Sequence, residues 1–343
     1  MRKVILPWPT DKEFVKVISQ AEKLRDELQK SADVDTSPII NEEEWFKRGR
    51  EAYAVLRAEM EWPINHDFLK HARKLRMVQT PSIGYDGIDI EACTDHSVIV
   101  CIVVTYSESV AQHTWALILN VSKHIAKADR VMRIGGWPDW PTNFFGIELH
   151  GTTLGVIGLG DIGRRVALKG SLAFNMRVLA YDPSVDPTQA QLYHARLVDL
   201  ETLLRESDII SIHCPLTPST WHLIGAEQLK LLKSTAILVN TARGAIIDQT
   251  ALIEALEKEQ LFGAGLDVFE EEPLSPLNPL RRLENVILTP HLAYATKKAV
   301  RNTWIGAVGN ILRFMKGQKP NWILNPTVLS RKRGYILSTR SKR

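Results

Sequence analysis

The stretch Leu154-Gly155-Val156-Ile157-Gly158-Leu159-Gly160-Asp161-Ile162-Gly163-Arg164-Arg165 decides the reading of this chain. Its apolar run ends in Gly-x-Gly-x-x-Gly and passes into Val166, Ala167, Leu168, Leu172 and Phe174, the pattern of a buried strand, a tight turn and a helix. Each glycine has its own task. Gly158 permits the turn, Gly160 lets the backbone come close to a diphosphate, and Gly163 lets the helix lie against the strand. Asp161 and Ile162 open that helix, so an anion held there faces the positive end of its dipole. The next strand runs from Met176 to Tyr181, and Asp182 closes it about 20 residues further on, where an acid receives a ribose 2′-hydroxyl. No Arg follows Asp182 before Arg196, so a 2′-phosphate would meet a carboxylate with no offsetting cation. The pattern favours NAD over NADP.

A chain of 343 residues with 45% hydrophobic and 24% charged residues has room for two domains and has the composition of an ordinary soluble globule. The short apolar run in Met1 to Thr10 is broken by Pro7 and Pro9, unlike the hydrophobic region of a signal peptide, and no apolar segment is long enough to span a bilayer. Cys93, Cys101 and Cys214 are odd in number and form no C-x-x-C pair, which argues against a disulfide framework or a metal site and for a cytoplasmic protein. The formal net charge of +4 is concentrated in the tail, where Arg331, Lys332, Arg333, Arg340, Lys342 and Arg343 stand without acids. The body of the chain is slightly acidic, so no nucleic-acid or membrane partner is expected.

Before the fingerprint, short apolar runs alternate with helical segments: Val4 to Leu6, a charged helix over about Asp11 to Lys30, Ala52 to Leu56, Phe68 to Lys74, Met77 to Thr80, and Val98 to Val104. That alternation argues a βαβ domain with its own parallel sheet. The loop Pro81-Ser82-Ile83-Gly84-Tyr85-Asp86-Gly87 offers backbone N–H groups to a carboxylate, or is a plain strand-to-helix turn. Ser107 to about Val131 reads as one long, largely apolar helix entering the second domain. The loop from Ile134 to Phe145, with Trp137, Pro138, Trp140 and Pro141, reads as packing. Beyond the fingerprint come strands Ile209 to His213, Ala236 to Asn240, Ala264 to Val268 and Val286 to Thr289, with helices capped by Asp199 and Asp248 and another over Ile224 to Leu232. Six strands with crossover helices make a doubly wound sheet, which binds ligands at the carboxyl ends of its strands.

Three of those ends carry chemistry. One strand leads to Thr241-Ala242-Arg243-Gly244, the next through Asp267 to Glu272-Pro273, and the last to Pro290-His291. A 2-oxo acid needs a planar cation for its carboxylate, which Arg243 supplies by a bidentate pair, and a proton source beside its carbonyl. His291 is that source, and a carboxylate from Glu272 would hold it in the proton-donating form. Singly, each has an ordinary explanation: a surface ion pair, an acidic run at Glu270-Glu271-Glu272, a capped turn. Their joint placement at the cofactor edge favours function.

These segments resemble the D-isomer-specific 2-hydroxyacid dehydrogenases from about Met77 to Pro326. Motifs of that family stand here as Ser82-Ile83-Gly84-Tyr85-Asp86-Gly87-Ile88-Asp89, Gly158 to Gly163, His213-Cys214-Pro215-Leu216-Thr217, Asn240-Thr241-Ala242-Arg243-Gly244, Leu266-Asp267-Val268-Phe269 with Glu272-Pro273, and Thr289-Pro290-His291. The resemblance implies that Arg243 binds substrate, that His291 is the acid/base and that Glu272 tunes it. It also implies that Asp267 contacts the nicotinamide amide, that Cys214, Pro215, Thr220, Thr241 and Ala242 line the cofactor, and that the Ile83-Gly84 backbone holds the substrate carboxylate. By the same resemblance the α/β fold has two doubly wound, Rossmann-like domains. An NAD domain over 107–295 would be inserted into a flavodoxin-like substrate domain of 1–106 and 296–330, with 331–343 a basic tail and cofactor domains pairing in a homodimer.

The departures bear on substrate. Val110-Ala111-Gln112-His113 stands where the family often has Val-Ala-Glu-His. Thr80-Pro81 stands where phosphoglycerate-specific members carry an Arg, although Arg57 ends a strand from which a phosphate is within reach. The expected activity is NAD-dependent hydride transfer to C2 of a small 2-oxo acid, glyoxylate or hydroxypyruvate ahead of 3-phosphoglycerate. An NAD-sensing interaction protein similar to transcriptional corepressors, and a phosphite or formate dehydrogenase, are the alternatives.

Overall fold

The computed structural model describes residues 1–58, 62–137 and 144–330, so Pro138, Trp140, Pro141 and the basic tail lie outside the described residues. The chain divides into two compact units, Met1–Tyr106 with Thr296–Arg343, and Ser107–Ala295.

The first unit is built on a five-stranded parallel sheet in the order β2-β1-β3-β4-β5, with β1 Lys3–Ile5, β2 Asp33–Asp35, β3 Ala52–Leu56, β4 Met77–Gln79 and β5 Ile99–Cys101. Helices α1 Lys12–Val17, α2 Ser19–Gln29, α3 Glu42–Gly49, α4 His66–His71 and α5 Ile90–Asp95 flank it. Their starts follow from side-chain caps. Asp11, Asn41, Asn65 and Asp89 each accept the backbone N–H three residues on, supplying a partner that the first turn lacks. The helix expected over 11–30 is two helices, separated at Ile18, a fully buried residue in neither helical nor extended conformation. Strand β2 was not foreseen, since its Asp-Val-Asp sequence has no apolar run to betray it.

The second unit carries a seven-stranded parallel sheet in the order β12-β11-β10-β9-β6-β7-β8. Its strands are β6 Thr153–Ile157, β7 Arg177–Tyr181, β8 Ala195–Leu197, β9 Ile209–Ile212, β10 Ile237–Asn240, β11 Gly263–Leu266 and β12 Val286–Leu288. Every residue of β6, β9, β10 and β11 is buried, as a sheet covered on both faces demands. One strand more is present than expected, because edge strand β8 is only three residues long, with exposed Arg196 at its centre. The order in which successive strands are added reverses between the parallel neighbours β6 and β9, and the fingerprint loop leaves β6 at that switch point.

Around this sheet lie α6 Ser107–Lys123, α7 Ile125–Arg133, α8 Asp161–Phe174, α9 Pro187–Gln191, α10 Leu200–Glu206, α11 Ala226–Leu229 and α12 Gln249–Glu257. The helix expected over 107–131 breaks at His124, which takes a left-handed φ of 53°. The helix expected over 224–232 shrinks to α11, because Ile224 is drawn into a parallel bridge with Ile247.

The last helix, α13 Lys297–Met315, returns to the first unit and packs on α2 and β4. Asn310 of α13 is buried and donates to Gln79 Oε1 of β4 at 3.0 Å and to the Asn321 carbonyl at 3.1 Å, while Gln79 itself donates to the carbonyls of Thr80 and Cys101. Removing Asn310 would strand a buried acceptor on the sheet. Asn310→Ala is expected to cost about 2 kcal/mol of stability, measured as a lower urea midpoint.

Candidate active site

The fingerprint loop has the shape its glycines were read for. Gly158 sits at φ 90°, and a Cβ there would lie 2.5 Å from the Cys214 nitrogen and 2.7 Å from the His213 carbonyl carbon. A Cβ on Gly163 would lie 2.0 Å from the Gly158 oxygen, so α8 can meet the turn only without one. Gly160 differs: a Cβ there would meet no atom within 4 Å. Its flank opens to space that an approaching diphosphate needs. Gly160 caps α8 with no side chain over the helix amides, and exposed Asp161 turns to Arg165 at 3.4 Å. These features fit a dinucleotide.

Asp182 ends β7 with both oxygens engaged. Oδ2 accepts from the Leu159 amide at 2.8 Å and Oδ1 from the Ser184 amide at 2.9 Å. The acid therefore fixes the glycine turn and stands beside it. Across the switch point, Thr220 Oγ1 donates to the Pro215 carbonyl at 2.6 Å and accepts from the Thr217 amide, closing the loop that begins at Cys214.

Strand β10 turns sharply at Asn240, a buried residue whose amide accepts from the Ala242 N–H at 2.9 Å and donates to the Arg243 carbonyl at 2.8 Å. Gly244 follows because a Cβ there would strike the Phe269 carbonyl at 1.9–2.0 Å. That close approach sets the Arg243 turn directly on the segment after β11. In that segment, Glu272 accepts the Phe269 N–H at 2.9 Å through Oε1, while Oε2 lies 2.7 Å from His291 Nδ1. Partial burial pushes the Glu272 pKa up. The His291 hydrogen bond, the Phe269 amide and the nearby charge of Arg243 outweigh it, and the carboxyl ends below the ordinary range. Arg243, Glu272 and His291 thus come together at the carboxyl edge of β10, β11 and β12, each partly exposed.

Asp267 is fully buried: Oδ1 accepts from Thr289 Oγ1 at 2.6 Å and the Leu292 amide at 2.9 Å, and Oδ2 from the Ala293 amide at 2.9 Å. Its visible task is to hold the turn that carries His291. Thr241 is buried against Thr114 of α6, with 3.0 Å between hydroxyls.

The residues expected to hold a substrate carboxylate belong to the other unit. There the Ile83 amide donates to Tyr106 Oη at 2.6 Å, and Ser82 Oγ donates to the Gly84 carbonyl at 2.6 Å. Arg57 is buried, its Nε donates to the Trp62 carbonyl, and burial lowers its pKa to about 10 against the opposing pull of Asp86. Tyr106, Thr289 and the clamping role of Asn240 were not foreseen. Asn240 and Thr289 left a signal, standing directly before Thr-Ala-Arg-Gly and Pro-His; Tyr106 left none.

Residues 115–293 match the family model described as D-isomer specific 2-hydroxyacid dehydrogenase, NAD binding domain. The glyoxylate reductase of Aeropyrum pernix is 43% identical over 272 residues, 78% of this chain and 81% of that one. Glyoxylate/hydroxypyruvate reductase B of Escherichia coli is 37% identical over 271 residues, 77% of this chain and 82% of that one. Among solved structures, the TT0316 protein of Thermus thermophilus superposes with a TM-score of 0.81 at 33% identity, over 94% of this chain and 100% of that one. A glycine cradle at a switch point, with arginine, carboxylate and imidazole at neighbouring strand ends, defines an oxidoreductase that uses a nicotinamide cofactor. The chain belongs to the D-isomer specific 2-hydroxyacid dehydrogenases and acts between a 2-hydroxy acid and its 2-oxo acid.

His213 supplies a test of the packing at the switch point. Its Nε2 lies 2.7 Å from the buried Ser211 Oγ, while its Nδ1 is shut from solvent with no partner. Burial pushes its pKa from 6.5 down to about 3, so the fold prefers the neutral ring. That preference contributes fully above about pH 6.5 and is lost progressively as pH falls toward 3, where the unfolded chain binds the proton first. Urea midpoints at pH 7, 5.5 and 4.5 should fall more steeply for the wild type than for His213→Gln.

Proposed function

We propose that this chain reduces glyoxylate or hydroxypyruvate with NADH, with Arg243, Glu272 and His291 as its catalytic residues. The observation that carries the assignment is the 2.7 Å bond between His291 Nδ1 and Glu272 Oε2. With Nδ1 committed to the carboxylate, Nε2 is the ring nitrogen left to address substrate. The bound dihydronicotinamide would supply the hydride. The Arg243 guanidinium pairs with the substrate carboxylate and carbonyl; in the first unit the Ile83-Gly84 backbone is a separate candidate for binding a carboxylate. His291 Nε2 protonates the C2 oxygen as it becomes a hydroxyl, and Glu272 steadies the charged ring until the proton has left.

Small acids are favoured because Thr80 and Pro81 replace the cation that a phosphorylated substrate calls for, and because similar chains carry the names glyoxylate and hydroxypyruvate reductase. NAD is preferred to NADP because Asp182, pinned by two amides, would oppose a 2′-phosphate. Gly158, Gly160, Asp161, Ile162 and Gly163 would cradle the diphosphate, and Cys214, Pro215, Thr220, Thr241, Ala242 and Asp267 would line the rest of the cofactor. A homodimer through the second unit is supported by α7, which buries none of its residues and leaves Ile125 and Met132 half-exposed. The free thiols of Cys93, Cys101 and Cys214 suit a reducing cytoplasm, and among the described residues no helix is long and apolar enough to cross a membrane.

NADH consumption against glyoxylate, hydroxypyruvate, pyruvate, phenylpyruvate and phosphohydroxypyruvate tests the reading. Glyoxylate or hydroxypyruvate should turn over fastest, and His291→Ala should lower kcat by roughly 10²- to 10⁴-fold while NADH still binds. Bound NADH with no turnover of any 2-oxo acid would overturn it. For the cofactor, kcat/KM should be higher with NADH than with NADPH, and Asp182→Ser should narrow that gap.

A further inference from the structure

His291 occupies a left-handed backbone conformation, φ 53°, that is uncommon for a residue with a Cβ. The contacts that hold it converge on Asp267. Its carbonyl accepts the His291 amide at 2.8 Å, and its carboxylate accepts the amides of Leu292 and Ala293. A carboxylate that takes those two amides must itself be aimed, and two side chains aim it. Thr289 Oγ1 lies 2.6 Å from Asp267 Oδ1, and His113 Nε2 of α6 lies 3.0 Å from Thr289 Oγ1 and 3.5 Å from Asp267 Oδ1.

The direction of this chain of bonds follows from the donors available. An ionised carboxylate can only accept, so the single Thr289 hydrogen points at Asp267. The Thr289 oxygen is then an acceptor toward α6, and His113 Nε2 must carry a hydrogen to meet it. The neighbouring residue of α6 repeats the arrangement on another strand. Thr114 donates to the Val110 carbonyl at 2.9 Å, so its oxygen receives the hydroxyl of Thr241, two residues before Arg243. One turn of α6 therefore braces the ends of both β10 and β12.

We propose that His113, acting through Thr289 and Asp267, is a positioning residue for the reduction: its Nε2–H orients the carboxylate that holds the His291 turn in its strained conformation. The assignment rests on His291 being the acid/base. Without the His113 donor, Thr289 can rotate away, Asp267 loses its aim, and the His291 ring drifts from the line on which it donates its proton. The fault would fall on the chemical step, with cofactor binding at the glycine cradle left intact.

The test measures kcat, KM for glyoxylate, NADH affinity by fluorescence titration and thermal stability for His113→Leu, His113→Gln, Thr289→Val, Thr289→Ser and His113→Leu/Thr289→Val. His113→Leu and Thr289→Val should each lower kcat roughly 10- to 100-fold with NADH affinity held within about threefold. Gln and Ser, which keep the donor and the hydroxyl, should restore most of that loss, and the double variant should be little worse than either single one. If His113→Leu keeps kcat within about twofold of wild type, the proposal falls. It falls equally if kcat, NADH affinity and stability drop together and Gln fails to rescue, which is the mark of a packing role. His291→Ala run alongside separates the two readings. Its inactivity beside a normal His113→Leu removes only the positioning assignment, whereas activity in His291→Ala removes the acid/base assignment and this one with it.

Discussion

The buried carboxylate of Asp267 is the constraint on which the turn carrying His291 depends. Moving a charge out of water is costly unless hydrogen bonds replace the hydration it loses, and here a hydroxyl and two amides replace it. The exchange works in both directions. The donors solvate the charge, and the charge holds 289–293 in a turn that the chain alone would not choose. His291 is consequently rigid at the backbone while its ring stays partly exposed for work. A neutral isostere at 267 would keep the volume and lose this, since Asn must point its NH2 at the Leu292 or the Ala293 amide, neither of which can accept.

A second constraint is the approach of backbone to backbone. Gly163 against Gly158, Gly158 against His213-Cys214, and Gly244 against Phe269 are contacts too short for any Cβ. The first two bring the cofactor cradle against the end of β9. The third brings the arginine turn against the glutamate segment, close enough for the Arg243 charge to act on the Glu272 carboxyl. Gly160 is the exception that separates structure from ligand. Nothing in the protein crowds it, so the absence of its side chain is explained by what must come from outside.

That contrast also explains how much could be read in advance. The fingerprint, the acid at Asp182 and the strand-end positions of Arg243, Glu272 and His291 are local patterns, legible because the carboxyl ends of parallel strands must point to one edge. Strand β8 was missed because the three residues Ala-Arg-Leu are too few to show a period, and the break at His124 because nothing in Ser-Lys-His-Ile announces a left-handed residue. Tyr106 and Thr289 act on partners more than 20 residues away in the chain, a proximity that exists only in three dimensions. His113 stood in a motif beside the departure at Gln112, but its role needed the neighbouring strand end to give its Nε2 a partner.

The two units differ in how their chain is assembled, and this has a consequence for folding. The second unit is one continuous segment, so its sheet can close as soon as Ala295 has been made. The first unit is not. Its α13 packs on α2 and β4, and the Asn325 side-chain oxygen accepts from the Val100 amide while its NH2 donates to Thr94 Oγ1 and the Val98 carbonyl. Without residues 296–330, Gln79 and the edge strand β5 would be left with buried polar groups unmet, each costing about 1–3 kcal/mol. Segment 1–106 therefore lacks the means to complete its own core. That core is complete only when the far end of the chain has docked, after the sheet of the second unit has had the opportunity to form.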